Sequence, residues 1–225
     1  MSEWTFERCA HAGPARLYDR WPWIHLGVVV LMGAAAAATW PWVLENPRWL
    51  WFFFLAVPAL VLHELEEFVL PGDYHAWFNR HFYGSANPFF PMTKLQATMN
   101  HMPLLPLFLL LGVLGSRWPF VGMGGLYGLL ADGVLHITAT ASGRRYSPGV
   151  VTSLLLYLPL ALAGTHHFVA TGEISTAGLI AAGFGGVVVF SVVAFLPTNR
   201  MAVLHPALLR TDKSAEGWKA SATAR

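Results

Sequence analysis

Hydrophobic residues form six long runs along this chain, and short polar segments separate them. The runs cover roughly residues 22–44, 49–70, 95–115, 118–139, 149–169 and 175–196. A helix needs about 20 mostly apolar residues to cross the hydrocarbon core of a bilayer. The runs are continuous and do not alternate with polar residues, so transmembrane strands do not fit them. The pattern predicts an all-α, polytopic bundle of six transmembrane helices.

Composition agrees with a membrane protein. Apolar residues make up 55% of the chain and charged residues only 12%, whereas soluble domains carry about 25% charged residues. The formal net charge is +2, and the basic residues form no stripe, which excludes nucleic acid as an expected partner. Tryptophan prefers the headgroup level, and it occurs at the ends of the first, second and fourth runs, at Trp21, Trp23, Trp40, Trp42, Trp49, Trp51 and Trp118.

The distribution of Lys and Arg predicts the direction of the spans. If the N-terminus is inside, 12 of the 14 basic residues lie on the cytoplasmic side. The other two, Arg48 and Arg117, lie on the opposite side. Basic loops stay in the cytoplasm, so we expect both termini to be cytoplasmic. We expect the protein in the cytoplasmic (inner) membrane of a bacterium.

This topology divides the chain into three parts. We predict a cytoplasmic N-terminal segment at 1–20, a six-helix membrane domain at 21–197 and a cytoplasmic tail at 198–225. Within the membrane domain, the loop at 71–94 is long enough to fold over the cytoplasmic helix ends as a cap. Gly124 and Gly128 form a G-x-x-x-G pair in the fourth run, which is typical of a helix-packing face.

Ionisable residues inside a bilayer are costly and mark functional sites. The second run contains His63, Glu64, Glu66 and Glu67. At 100° per residue, Glu66 and Glu67 lie on either side of His63 on one helix face, while Glu64 points away. The i,i+3 and i,i+4 spacings allow two of these side chains to share one ion.

Two further runs carry polar residues at a matching depth. The third run contains Asn100 and His101, and the fourth contains Asp132 and His136. At 1.5 Å per residue, both groups and the His63–Glu67 segment lie about 5–10 Å from the cytoplasmic ends of their helices. Three helices of alternating direction therefore bring histidines and acids to one layer, which predicts a divalent-metal site.

These residues resemble those of a known family. The H-x-x-E-E motif at 63–67, the later His136 and the sequence Tyr-Ser-Pro-Gly at 146–149 are similar to the HXXEE family of integral membrane proteins. The resemblance implies a membrane-bound, metal-dependent enzyme in which His63, Glu66, Glu67 and His136 belong to the site. The family pattern favours asparagine at the position of Asp132, which argues against Asp132 as a direct ligand.

Two metal arrangements remain open. In a mononuclear site, His63, His101 and His136 would bind Zn²⁺, with Glu66 or Glu67 as fourth ligand or general base. Asp132 and Asn100 would then support the ligands from behind, so Asp132→Asn should retain the metal. In a dinuclear iron site, Glu66 or Glu67 would bridge two ions and Asp132 would be a ligand.

The position of the site indicates the kind of substrate. A site near the inner leaflet favours membrane lipid or another lipid-like, hydrophobic small molecule, with hydrolysis slightly favoured over oxidation. Arg144 and Arg145 follow the fourth run on the same side, where they would hold a lipid headgroup. A metal or proton transporter and a non-catalytic accessory protein remain as alternatives.

Overall fold

A computed structural model describes residues 20–206, and all regular structure in that range is helical. Six of its helices are long and apolar enough to cross a membrane, which confirms the six spans. The helices are α1 (Trp21–Ala38), α2 (Trp40–Glu45), α3 (Pro47–Phe68), α4 (Tyr74–Tyr83), α5 (Lys94–Arg117), α6 (Pro119–Gly143), α7 (Val150–Ala170) and α8 (Thr176–Leu204). The six spans are α1, α3, α5, α6, α7 and α8, and α2 and α4 lie outside them.

Polar contacts between helix ends define two faces of the bundle. On the upper face, Arg48 at the start of α3 pairs with Glu173 after α7, with Nε and Oε2 2.5 Å apart. On the lower face, Gln96 near the start of α5 contacts Thr198 near the end of α8. Successive spans therefore run in opposite directions. The lower face corresponds to the side that we predict to be cytoplasmic, and that orientation stays a prediction.

Glycines allow the spans to pack closely. The ring of Phe52 in α3 lies against Gly122 of α6, where an added Cβ would overlap the ring. Gly186 of α8 is in similar contact with Gly124 and Gly128 of α6: an added Cβ would overlap the carbonyl oxygen of Gly124 and lie 2.9 Å from the nitrogen of Gly128. The predicted G-x-x-x-G pair thus meets a third glycine, and small residues bring the two helices together.

Span boundaries differ from the predicted ones near two prolines, Pro41 and Pro197. The first run was expected to continue to residue 44, but α1 ends at Ala38 and the separate α2 begins at Trp40. Pro41 explains this break, since its ring would clash with a carbonyl one turn earlier. By contrast, α8 continues through Pro197 to Leu204, beyond the expected boundary. Most of the predicted N-terminal segment, and the tail from residue 207, lie outside the described residues.

Two spans contain π-helical segments, which the hydrophobic pattern did not predict. They are Leu50–Leu55 in α3 and Ser153–Tyr157 in α7. Both π segments share a helix with a polar residue of the lower half of the bundle. His63 follows the first segment in α3, and Thr152 lies directly before the second segment in α7. A π-helical turn contains one residue more than an α-helical turn, and such turns are frequent at functional sites.

The connection between α3 and α5 folds over the lower face. Its helix α4 buries Tyr74 and Phe78, and Phe78 packs against Phe195 near the end of α8. The segment that follows α4 is held by Asn79. The Asn79 side chain donates to the carbonyl oxygens of Pro88 and Met92 and accepts from the Met92 amide, at 2.7–2.9 Å. This buried amide satisfies three backbone groups and fixes the segment against the bundle.

Candidate metal centre

Four side chains from α3 and α6 converge near the lower face, and we call them the metal cluster: His63, Glu67, Asp132 and His136. One ligand atom from each lies within 4.8 Å of all the others. Nε2 of His63 is 2.9 Å from Asp132 Oδ2 and 3.5 Å from Glu67 Oε1. Nε2 of His136 is 3.2 Å from Glu67 Oε1 and 3.6 Å from Asp132 Oδ1. Both histidines and Glu67 are almost completely buried.

These spacings fit a small divalent cation. Tetrahedral ligands about 2.1 Å from Zn²⁺ are about 3.4 Å apart, which lies within the range of 2.9–3.6 Å spanned by the four histidine–carboxylate distances. Both Nε2 atoms and Glu67 Oε1 lack a hydrogen-bond partner among the described residues, so the close pairs are not well-formed hydrogen bonds. Two carboxylates would also neutralise a divalent ion in this buried position. The donor set suits Zn²⁺, Fe²⁺ or Mn²⁺.

Hydroxyl groups orient the two imidazole rings. Thr152 Oγ1 lies 2.8 Å from His63 Nδ1, and Ser147 Oγ lies 2.8 Å from His136 Nδ1. The Thr152 hydroxyl donates its proton to Glu66 Oε2 at 2.6 Å. It must therefore accept from His63, whose Nδ1 carries a proton. With Nδ1 as the protonated nitrogen, the neutral form of the ring has its lone pair on Nε2, directed into the metal cluster as a metal ligand requires.

The short connection between α6 and α7 supports both rings. Gly149 has a φ of +101°, and an added Cβ would lie 2.6 Å from His63 Cε1 and 3.0 Å from His136 Cε1. Only glycine combines this backbone conformation with such close approach. Tyr146, three residues earlier, donates to Glu66 Oε1 at 2.5 Å. Burial and this hydrogen bond raise the pKa of Tyr146, so its phenol remains a protonated donor.

Glu66, which we expected to be a ligand or general base, lies outside the metal cluster. Its carboxylate accepts from the amides of Val151 and Thr152 at 3.0 and 2.7 Å, and from the hydroxyls of Tyr146 and Thr152. The first amides of a helix have no partner within the helix. Glu66 satisfies two of those of α7, and its charge is favourable beside the positive end of the helix dipole. Both of its oxygens are therefore engaged.

A family model described as "Protein of unknown function with HXXEE motif" matches residues 51–163. The chain belongs to the HXXEE family. No curated protein and no solved structure matches the chain. The three residues of the HXXEE motif differ in position: His63 and Glu67 lie in the metal cluster, and Glu66 caps α7 and is linked to His63 through Thr152.

Asp132 lies in the metal cluster itself, one turn before His136 on α6. We expected it to accept a hydrogen bond from the His136 ring and to remain behind that ring. The structure differs because the Ser147 hydroxyl contacts Nδ1 of His136. The other ring nitrogen of His136, Nε2, and the Asp132 carboxylate therefore both face His63. Asp132 is thus positioned as a ligand.

His101 and Asn100 lie beside the metal cluster. His101 Nδ1 is 3.9 Å from Glu67 Oε2, the carboxylate oxygen that faces away from His63 and His136. Asn100 Nδ2 is buried and has no hydrogen-bond partner among the described residues. The helix α5 is interrupted directly after them, at Met102 and Pro103. The structure therefore brings His101 to the HXXEE glutamate but not to the two histidines of the metal cluster.

Glu64 is buried although we expected it to point away from the site. Its Oε2 lies 2.6 Å from Nδ1 of His25, which belongs to α1. Trp21 packs edge-on against His25 and stacks on His101. The helix α1 thus supplies a partner for Glu64, which occupies a variable position between the histidine and the two glutamates of the HXXEE motif.

Aromatic residues of α4 cover the metal cluster from below. Trp77 stacks on His136 with ring centroids 5.4 Å apart, and Tyr74 lies 5.7 Å from both His101 and His136. Burial beneath these rings lowers the local dielectric, which strengthens interactions between a cation and the carboxylates. Arg144 and Arg145 are exposed after α6, and their predicted role in headgroup binding stays a prediction.

Sequence reasoning missed several residues that support the site. Thr152 and His25 gave no signal, because one hydroxyl and one histidine in apolar runs are unremarkable without knowledge of the neighbouring helix. Ser147 and Tyr146 did carry a signal, since they belong to the Tyr-Ser-Pro-Gly segment on which the family resemblance rested.

Proposed function

We propose that this HXXEE protein is a metal-dependent membrane enzyme acting on a lipid-like substrate. One observation supports it above all: the metal cluster lies at the polar end of an apolar cavity of about 410 Å³. Substrate pockets of enzymes are usually apolar cavities of about 300–1,000 Å³ with a few polar groups. Here the polar groups are metal-ligand types, and the apolar remainder suits a hydrophobic molecule.

The chain's own residues have separable roles in this proposal. His63, Glu67, Asp132 and His136 would hold one divalent ion, which supplies Lewis-acid chemistry by polarising a substrate oxygen or acidifying a water molecule. Glu67 Oε2 faces His101 and the cavity, where it is available to accept a proton from water. Asn100 Nδ2 would donate a hydrogen bond to an oxygen that gains negative charge. These roles favour hydrolysis.

Oxidative chemistry at two ions is the second candidate. It is favoured by Glu67, whose two oxygens face different groups: Oε1 faces the histidines of the metal cluster, and Oε2 faces His101. A bridging carboxylate has this arrangement. Transport is less well supported, because the cavity wall away from the metal cluster consists of Leu, Phe, Val, Ala and Gly residues and offers no chain of polar groups.

Metal analysis of the purified protein tests the proposal. We expect about one divalent ion per chain in the wild type, and loss of that ion in His63→Ala and His136→Ala. His166→Ala is the matched control, because His166 is exposed near the upper face. Two ions per chain would favour oxidation. If metal content is the same in all variants, or if the folded wild type binds none on titration, the metal cluster is an ion-pair network and the proposal fails.

Asp132→Asn extends the same measurement. Both Asp132 oxygens face imidazole nitrogens, so the substitution removes an anionic ligand. We now expect the affinity to fall by more than the about 10–100-fold typical of groups behind the ligands. This reverses the expectation from sequence. Full retention of the ion in Asp132→Asn would instead support a site built on His63, Glu67 and His136 alone.

A further inference from the structure

The cavity extends well beyond the metal cluster. Its walls come mainly from α5, α6 and α8. On α6 the lining positions begin at Phe120 and end at Asp132, twelve residues apart, which is about 18 Å at 1.5 Å per residue. On α8 they begin at Ala181 and end at Ala194, which is about 20 Å by the same rise. The cavity is therefore elongated along the helices, from the metal cluster toward the upper face.

One side of the cavity is open between α5 and α8. The lining residues Ala181, Gly185 and Val189 follow one another at i,i+4 spacing on α8, and all three are exposed. The helix α8 packs closely on α6, and it contacts α5 through the Lys94–His101 segment near the lower face. Above that segment, the exposed lining residues of α8 leave the cavity accessible from the hydrocarbon region.

Unpartnered hydrogen-bonding groups mark the closed end. Asn100 Nδ2 and the Tyr157 hydroxyl are buried, line the cavity and have no hydrogen-bond partner in the described part of the chain. A buried donor without a partner destabilises the folded protein. Both groups lie at the end that holds the metal cluster, where an acceptor oxygen of a ligand would satisfy them. The remaining wall is apolar and requires no polar partner.

We propose that the cavity binds one fatty acyl chain. Its carbonyl or carboxyl oxygen would lie at Asn100, Tyr157 and the metal cluster, its chain would extend toward Phe120 and Ala181, and entry would be sideways between α5 and α8. This proposal rests on the proposed function and names its substrate class. A single chain fits an elongated cavity, whereas a two-chain lipid would have to leave its second chain in the bilayer.

Photocrosslinking tests the proposal with a defined probe. Purified protein in nanodiscs is irradiated with hexadecanoic acid that carries a diazirine near its methyl end, and the crosslinks are located by mass spectrometry. We expect crosslinks around Phe120 and Ala181 at the upper end of the cavity. Crosslinks spread evenly over lipid-exposed faces, such as that of α1, would mean partition into the bilayer and would overturn the proposal.

Two alanines one turn apart give a matched pair. Ala181 lines the open side of the cavity, while Ala177 is exposed on the same helix but outside the lining. Ala181→Phe should lower labelling about tenfold, equivalent to losing roughly two buried methylenes, and Ala177→Phe should not. Decanoic acid should compete relatively better in Ala181→Phe than in the wild type. Equal labelling of the two variants would refute a cavity-bound chain.

Two further arms separate this proposal from its alternatives. The same chain presented in diacyl phosphatidylcholine should label less than the free acid, and equal labelling would contradict single-chain selectivity. Metal content is measured on the same samples. Cavity labelling without bound metal would refute the enzyme and leave the acyl site, whereas bound metal with non-specific labelling would refute the acyl site and leave the enzyme.

Discussion

At the residue scale, a single hydroxyl determines how His63 presents its two nitrogens. Thr152 accepts from His63 Nδ1 and donates to Glu66, so the three side chains form one chain of hydrogen bonds. Glu66 accepts the hydroxyl proton of Thr152, the hydroxyl oxygen orients the His63 ring, and Nε2 of that ring faces the metal cluster. This gives Glu66 an indirect part in metal binding, in addition to capping α7.

Thr152→Val should weaken metal binding without changing the packing around residue 152. Valine fills the same volume but cannot accept the Nδ1 proton, so the neutral ring is free to adopt the other tautomer or to rotate. We expect the affinity to fall about 10–100-fold, measured by competition with a chelator. Thr152→Ser should restore it. Thr138→Val is the control, because within residues 20–206 the Thr138 hydroxyl donates to carbonyl oxygens of its own helix. Unchanged affinity in Thr152→Val would contradict the hydrogen-bond chain.

The sequence of the HXXEE motif predicted only part of how its residues are arranged. Helical periodicity correctly put His63 and Glu67 on one face, because one turn separates them. It did not distinguish Glu66 from Glu67, since both flank that face. Their separation depends on α7, whose unpaired first amides attract Glu66. A pattern within one helix contains no information about the end of another.

At the element scale, close packing of α6 and α8 depends on Gly186. A methyl group there would overlap the carbonyl oxygen of Gly124, whereas Gly185, the next residue on the same helix, has open space around its Cα. The two positions share helix type and depth, so an alanine gains similar helix propensity at either one. The difference in stability between the two alanine variants therefore measures the contact between α8 and α6 at Gly186.

Gly186→Ala should therefore destabilise the protein and Gly185→Ala should not. Overpacking a close contact typically costs about 1–3 kcal/mol, which should appear as a lower midpoint of thermal unfolding in detergent. Because α6 carries Asp132 and His136, we expect Gly186→Ala to lower metal occupancy as well. Equal midpoints for the two variants would show that the helices separate without cost.

Span number and approximate position were predictable from sequence, because about 20 apolar residues have few alternatives in a chain of this composition. The helix ends were less predictable. Pro41 ends a helix, whereas Pro197 lies within one that continues to Leu204. Neighbouring contacts account for the difference, since Thr198 is buried and contacts Gln96 of α5. The π segments had no signature in the hydrophobic pattern.

At the scale of the whole molecule, the direction of insertion determines which compartment the site faces. In a Cys9→Ser background, Arg144→Cys on the lower face should be protected from an impermeant thiol reagent in intact cells, and Arg117→Cys should react. Both arginines are exposed, so burial does not bias the comparison. Arg48 and Glu173 are unsuitable positions because they pair with each other. The reverse labelling pattern would place the metal cluster near the outer leaflet.

The opening between α5 and α8 has a consequence for how activity would be measured. A molecule that enters from the hydrocarbon is sampled according to its mole fraction in the bilayer or micelle, and its concentration in water has little influence. Adding detergent or inert lipid at constant total substrate would then slow turnover by surface dilution, without any inhibitor being present. Rates for such an enzyme are comparable only when the substrate-to-amphiphile ratio is held fixed.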